Sequence, residues 1–160
     1  MKRFLLALVI AGFCMLAFRS LAFTIYAIEG DALAPTLRQG DHILVNRWSY
    51  GLRTGNIGGT FSYGRLFKRN VKVGDIVAFE SPIDSLKGIL VARCTALPGD
   101  TITDSNGLPF MLPGKTTCDP QDMYWMECIG RRKTADSRVF GPVPENLIIG
   151  KVCKVIYNHK

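Results

Sequence analysis

Ile28-Glu29-Gly30-Asp31-Ala32-Leu33-Ala34-Pro35-Thr36-Leu37, continued by Arg38-Gln39-Gly40-Asp41, is the stretch that decides the fold. It follows directly on an apolar N-terminal segment. It runs into a turn pair, Gly40-Asp41, and then into His42-Ile43-Leu44-Val45-Asn46-Arg47, a partly alternating, β-branched run that reads as a strand. In an extended segment successive side chains point to opposite faces, so Asp31 is expected to turn away from Ala32. His42 stands in no nucleophile box and reads as a strand residue rather than a catalyst.

Upstream, Met1-Lys2-Arg3 precede an unbroken apolar run from Phe4 to Phe18. Arg19 and Ser20 interrupt it, and Leu21 to Ile28 is again largely apolar. At about 1.5 Å per residue the first run alone is short for a hydrocarbon core of about 30 Å. Residues beyond Arg19 supply the missing length, with Arg19 snorkelling to the far interface. Lys2 and Arg3 place the N-terminus in the cytoplasm. The expected organisation is a single-pass transmembrane helix over 1–27 and an exported domain over 28–160. The rival is a cleaved signal peptide with Ser20-Leu21-Ala22 as its small-x-small site. Either way the body of the chain is exported.

The whole chain has 160 residues, room for one anchor and one domain with a real core. Its formal charge is +7, from 20 Lys+Arg against 13 Asp+Glu. The basic residues are scattered and no motif for reading nucleic acid accompanies them, so nucleic acid is not expected as a partner. A solvated surface and attraction to membrane lipid remain. Of the five cysteines, Cys14 lies in the apolar segment. Cys118 and Cys128 flank one short loop, a spacing that fits a loop-closing disulfide in an oxidising compartment. Cys94 and Cys153 lie in strand-like runs and either pair or stay reduced. There is no Cys-x-x-Cys, and only His42 and His159 are available beside the thiols, so neither a metal nor a cofactor is expected.

Further along, Tyr50 to Lys72 is rich in Gly, Ser, Thr and Asn with interleaved aromatics and reads as a long loop or irregular hairpin. Val71 to Phe79 is a Gly-Asp turn feeding a strand, and Gly88 to Cys94 is a second strand after the turn at Ser81-Pro82. Thr101 to Gly130 carries turn signals, with Met123-Tyr124-Trp125-Met126 as a small satellite core. Leu147 to Tyr157 closes the chain as a strand.

Four boxes in this order resemble the type I signal peptidases, membrane-bound Ser/Lys proteases that remove export signals. The first is Gly30-Asp31-Ala32 with Pro35-Thr36-Leu37 and Gly40-Asp41, similar to the family's serine box. The second is Gly74-Asp75-Ile76-Val77-Ala78-Phe79. The third is Arg93 with Leu97-Pro98-Gly99-Asp100, similar to the end of the family's lysine strand, with Ala96 in place of a glycine. The last is Thr134-Ala135-Asp136-Ser137-Arg138 with Gly141, Val143 and Pro144. The resemblance spans nearly all of 19–157. It implies a mainly β fold, a β-barrel or β-sandwich domain with one N-terminal transmembrane helix and a small disulfide-closed insertion. It also implies a single-pass protein of the bacterial inner membrane with its domain on the outer side.

Laid on those boxes, the nucleophile falls at position 32 and the general base at position 92, and both are alanine. A Ser/Lys protease needs a hydroxyl to attack the scissile carbonyl and a neutral amine to take its proton. Ala32 offers no nucleophile and Ala92 no base. In the family Thr134, Asp136 and Arg138 correspond to residues that brace the lysine; read alone, Asp136 and Arg138 suggest a structural ion pair. The binding apparatus is expected to survive. An extended substrate would lie between about Ile28–Ala32, with Gly30 and Asp31, and Ile89, Leu90, Val91 and Ala92, by β-augmentation. The expected function is binding of signal-peptide segments of exported proteins without cleavage. The alternative is a true signal peptidase, a serine endopeptidase, carrying inactivating Ser-to-Ala and Lys-to-Ala substitutions.

Overall fold

The computed structural model describes residues 2–27, 40–54, 63–83, 88–103, 107–118, 120–128 and 136–156, without the side chains of 2, 16–21 and 116. A helix, α1, covers Lys2–Ala22 and passes straight into β1, Phe23–Ala27. Next come β2 (His42–Asn46), β3 (Leu52–Thr54), β4 (Gly64–Leu66), β5 (Ile76–Glu80) and β6 (Ile89–Ala96). They are followed by β7 (Thr101–Thr103), β8 (Pro109–Met111) and β9 (Met123–Glu127). A four-residue helix, α2 (Ser137–Phe140), precedes β10 (Val143–Pro144) and β11 (Ile148–Ile156). The mainly β expectation is met.

Seven strands form one antiparallel sheet in the order β1-β2-β11-β5-β6-β9-β10. The pairs β3-β4 and β7-β8 are separate two-stranded ribbons. The irregular hairpin expected between Tyr50 and Lys72 is therefore the β3-β4 ribbon. Among the described residues the large sheet is an open series ending at β1 and β10, neither a closed barrel nor two stacked sheets.

The centre of that sheet is apolar on both faces. In β5, Val77, Ala78 and Phe79 are all fully buried. Alternate side chains point to opposite faces, so one strand feeds two cores. Val77 and Phe79 join Ala92, Cys94, Met126 and Ile148 on one side. Ala78 joins Ile43, Val45, Val91, Ile149 and Val152 on the other. This is why Ile76 to Phe79 reads as a continuous apolar run and not as an alternation. Three register shifts, at Ile148/Gly150, Val152/Lys154 and Cys94/Ala96, bend the sheet where its strands are longest. A third cluster of Ala96, Leu112 and Trp125, with Phe110 edge-on to Trp125 at 5.9 Å, takes only Trp125 of the satellite core expected at Met123–Met126, because alternate β9 residues Tyr124 and Met126 face the main core.

A polar clasp holds the β3-β4 ribbon to the chain's last turn. The Arg65 side chain is 2% exposed and lies 3.7 Å from Glu145 Oε1. Its guanidinium donates to the carbonyls of Gly51, Glu145 and Ile148 and to the Tyr63 hydroxyl. Lys68 Nζ bridges Asp122 Oδ2 at 2.9 Å and Glu145 Oε2 at 2.8 Å. Three backbone carbonyls therefore depend on one buried cation.

Two expectations fare differently. Cys118 and Cys128 are not joined by a disulfide. The loop is closed instead by the Met123 amide donating to Pro113 O at 3.0 Å and by the Lys115 amide donating to Asp122 Oδ1 at 2.9 Å. That leaves Cys118 at the loop tip while Cys128 lies past the far end of β9. As to the anchor, among the described residues no helix is long and apolar enough to cross a membrane. What α1 does show is eight large apolar side chains between Phe4 and Met15 lying exposed. At 100° per residue they surround the helix and do not form a stripe.

Arg65→Met should lower stability by about 1–3 kcal/mol or more, because it takes the donor away from three carbonyls while Lys68 stays on Glu145; urea unfolding followed by circular dichroism measures this. Thiol labelling checks the cysteine assignment. Without reductant at pH 8, exposed Cys118 and Cys153 should react with a maleimide. Cys94 should not, since burial, aided by the Asp75 charge, pushes its thiol up to about 12.

Candidate functional site: the open edge of β6

β6 is long because both its faces find apolar partners, and it is covered unevenly along its edges. One edge pairs with β5 from Ile89↔Glu80 to Arg93↔Ile76. The other edge pairs with β9 only at Arg93, Cys94 and Ala96. Among the described residues no strand pairs with the second edge of Ile89–Ala92. That half-strand presents backbone donors and acceptors of the kind an added strand would take up.

The residues along it face two ways. Ala92 is fully buried in the core cluster of Val77, Phe79, Tyr124, Met126 and Val143, with Leu90 and Phe140 packed against the same cluster. Ile89 and Val91 belong to the opposite cluster, and Tyr26 of β1 packs there with them. Three strands lie between β1 and β6 in the sheet order, and the cluster runs across all of them on one face of the sheet. β1 is also a sheet edge: it pairs with β2 on one side, and no described strand lies on the other. Two sheet edges thus flank one apolar core.

Position 92 has a definite electrostatic character. Apolar surroundings disfavour a charge, and two positions further along β6 they push the Cys94 thiol up to about 12. An amine placed at 92 would be driven toward its neutral form by the same desolvation.

The bracing residues are partly described. Asp136 is 1% exposed and caps α2, its Oδ1 accepting the Arg138 amide at 3.1 Å. The ion pair expected between Asp136 and Arg138 is not formed. The Arg138 guanidinium reaches Glu127 Oε1 at 3.1 Å instead, because the cap uses Arg138 through its backbone and turns its side chain outward to β9. Ser137, buried beside Asp136, has its Oγ accepting the Met126 amide at 2.9 Å. Since Met126 pairs with Cys94, α2 is tied through β9 to the strand that carries position 92. The sequence reading passed over Ser137 as a supporting residue, although it stands in the last box. Ile28, Gly30, Asp31, Ala32 and Thr134 lie outside the described residues. His42 is half-buried in β2, between Ala27 and Ile156 on the neighbouring strands.

Comparison with known proteins agrees with this frame. A family model described as signal peptidase, peptidase S26, matches residues 1–115. The chain is 30% identical over 142 residues to mitochondrial inner membrane protease subunit 1 of Schizosaccharomyces pombe, covering 86% of this chain and 75% of that one. It is 26% identical over 130 residues to mitochondrial inner membrane protease subunit 2 of Saccharomyces cerevisiae, covering 81% and 66% respectively. It is 26% identical over 181 residues to signal peptidase I V of Bacillus subtilis, covering 94% and 96%. With 115 of 160 residues inside the match and an antiparallel sheet of the expected strands, the chain belongs to the signal peptidase, peptidase S26, family.

Proposed function

We propose that this protein is a non-cleaving member of its family, which holds signal-peptide segments of exported proteins against the open edge of β6. One observation carries the reading: among the described residues no strand covers the second edge of Ile89–Ala92, which lies beside an apolar core, while the residue at the base position is alanine. An extended segment added there would gain main-chain hydrogen bonds from β6 and shallow apolar contacts from the flanking core. Ala32 supplies no hydroxyl and Ala92 no amine. No reaction is assigned to the chain as written.

The organisation we propose is an anchor over 1–27 and a binding domain over 28–160, in the bacterial inner membrane with the domain outside. Exposed apolar side chains all round α1 support the anchor, since a helix apolar on every face needs either a core or lipid around it. Similarity to a bacterial signal peptidase over 96% of its length supports the compartment. Membrane lipid is then a standing partner. Thr134, Asp136 and Arg138 are proposed as supports for the site, and Ile28, Gly30 and Asp31 as its other wall.

A second reading rests on the fact that both positions are alanine. That is what a deliberate inactivation of a working signal peptidase would leave. The codons at 32 and 92 in the source genome separate the two.

The direct test compares the parent with Ala32→Ser/Ala92→Lys on a signal-peptide substrate. We expect the parent to bind a fluorescent signal-peptide segment without cutting it and the revertant to cut. Loss of such a unit costs on the order of a million-fold in rate, so the contrast should be all or none. Cleavage by the parent would sink the proposal, and so would failure of the parent to bind. Ala92→Lys alone tests the environment of the site. Its amine should titrate below the usual value of about 10.4. The unfolded chain then holds the proton over the window between the depressed folded value and about 10.4. Stability of the variant should therefore rise with pH across that window and be lowest below it. An unshifted amine would show that position 92 faces water.

A further inference from the structure

Away from the open edge, a cavity of about 660 Å³ opens between the turn after β2, the segment after β4 and the turn before β5. Six of its lining residues carry its chemistry: Trp48, Phe67, Arg69, Lys72, Asp75 and Lys151. The lone carboxylate among them is already engaged. Asp75 Oδ1 accepts from Lys151 Nζ at 2.5 Å. Its Oδ2 accepts from the Tyr50 hydroxyl at 3.0 Å and from the Lys72 amide at 3.2 Å. Lys151 cancels that charge, and Arg69 and Lys72 are left over. Both are exposed, and among the described residues neither forms an ion pair.

The cavity stands where α1 leaves off. The Arg47 amide donates to Ala22 O, the last residue of α1, at 2.9 Å. Phe23 pairs with Asn46, whose Oδ1 in turn accepts the Trp48 amide at 2.9 Å. Gly150 packs so tightly under this turn that a Cβ there would collide with Asn46 O, which fixes the turn against β11. On the other rim Phe67 is 91% exposed and held at φ 55, a left-handed conformation unfavourable for a bulky side chain. A strained backbone that turns an aromatic ring into solvent suggests that water is not its working surroundings.

We propose that this cavity binds the phosphate of an anionic phospholipid headgroup at the exit of α1. Arg69 and Lys72 face the phosphate, and Phe67 and Trp48 lie against the boundary between headgroup and acyl chains. The proposal rests on α1 being a membrane anchor. Two cations without an ion pair among the described residues supply the charge complement, the exposed apolar ring of Phe67 favours the acyl side of that boundary, and the amphipathic Trp48 ring favours the boundary itself. A phosphate in solution would have no use for the exposed ring of Phe67. Holding a headgroup here would fix how the domain sits on the bilayer and where the β6 edge meets a segment emerging from it.

The test is native mass spectrometry of the full chain released from detergent micelles doped with phosphatidylglycerol or phosphatidylcholine. We expect one phosphatidylglycerol to be retained in preference to phosphatidylcholine. Arg69→Gln and Lys72→Gln should each weaken retention about fivefold. Lys115→Gln removes the same charge from the turn at Lys115–Thr117 and should change nothing. An equal loss in Lys115→Gln would overturn the proposal in favour of general surface charge. Displacement of the lipid by millimolar inorganic phosphate would overturn it in favour of a soluble phosphate, and displacement by polyglutamate in favour of an acidic protein. Carbonate extraction of membranes tests the anchor separately. A chain that stays in the pellet yet retains no phosphatidylglycerol loses only the headgroup site. A chain that is stripped off overturns the anchor and with it the placement of this cavity at the bilayer, even where the lipid is retained.

Discussion

Burial of β5 and β6 on both faces is the constraint from which the rest of the molecule follows. A flat sheet with one wet face could have ended anywhere. A sheet apolar on both sides must be covered twice, and here much of the second covering comes from the sheet itself. The cluster that holds Val91 and Ile89 runs across one face of the sheet as far as Tyr26 of the first strand, and the register shifts curl the sheet around it. The curl leaves the β6 edge at Ile89–Ala92 beside a core rather than out in bulk water. The candidate site is therefore a by-product of how the core is closed. It does not depend on the two residues that chemistry would require.

The polar interactions reinforce this arrangement from outside. Arg65 and Lys68 fasten the β3-β4 ribbon to the turn at Glu145–Leu147, just before β11 begins. Asp75 fastens the start of β5 to Lys151 on β11 and to Tyr50 on the turn after β2. Burial alone would raise the Asp75 carboxyl, but the Lys151 ammonium and the Tyr50 and Lys72 donors more than offset it and hold it low. Both clasps bind neighbours of β11, the strand that lies between β2 and β5. Segments distant in the chain are thus locked around β11.

Much of this was legible beforehand. Gly74-Asp75 announced a turn and the strand that ends at Phe79. The box pattern placed Ala92 on a strand flanked by residues for two cores. What escaped the sequence were partners brought together only by the fold. Nothing near Arg65 in the chain hints that it serves carbonyls some 80 positions on. Asp136 and Arg138 look like an ion pair because their charges are opposite and close, yet a cap needs only a backbone amide, which freed the guanidinium for Glu127. Cys118 and Cys128 look like a bridge because spacing in sequence says nothing about direction, and β9 carries one away from the other.

Alanine at position 92 has a physical consequence apart from the loss of a base. A lysine among Val77, Phe79, Tyr124 and Met126 must either be neutral or draw water into the core, and both courses lower stability. A protease accepts that penalty because the neutral amine is its catalyst. A protein that only grips an extended segment has no use for it. Alanine removes the penalty, keeps the β6 backbone where it was and leaves its edge unobstructed. On the proposed reading, small residues at positions 32 and 92 keep the binding surface open while withholding the groups a reaction would need. The same economy explains why bracing survives around an absent base: Asp136 and Ser137 hold α2 and β9 in place, and β9 holds β6.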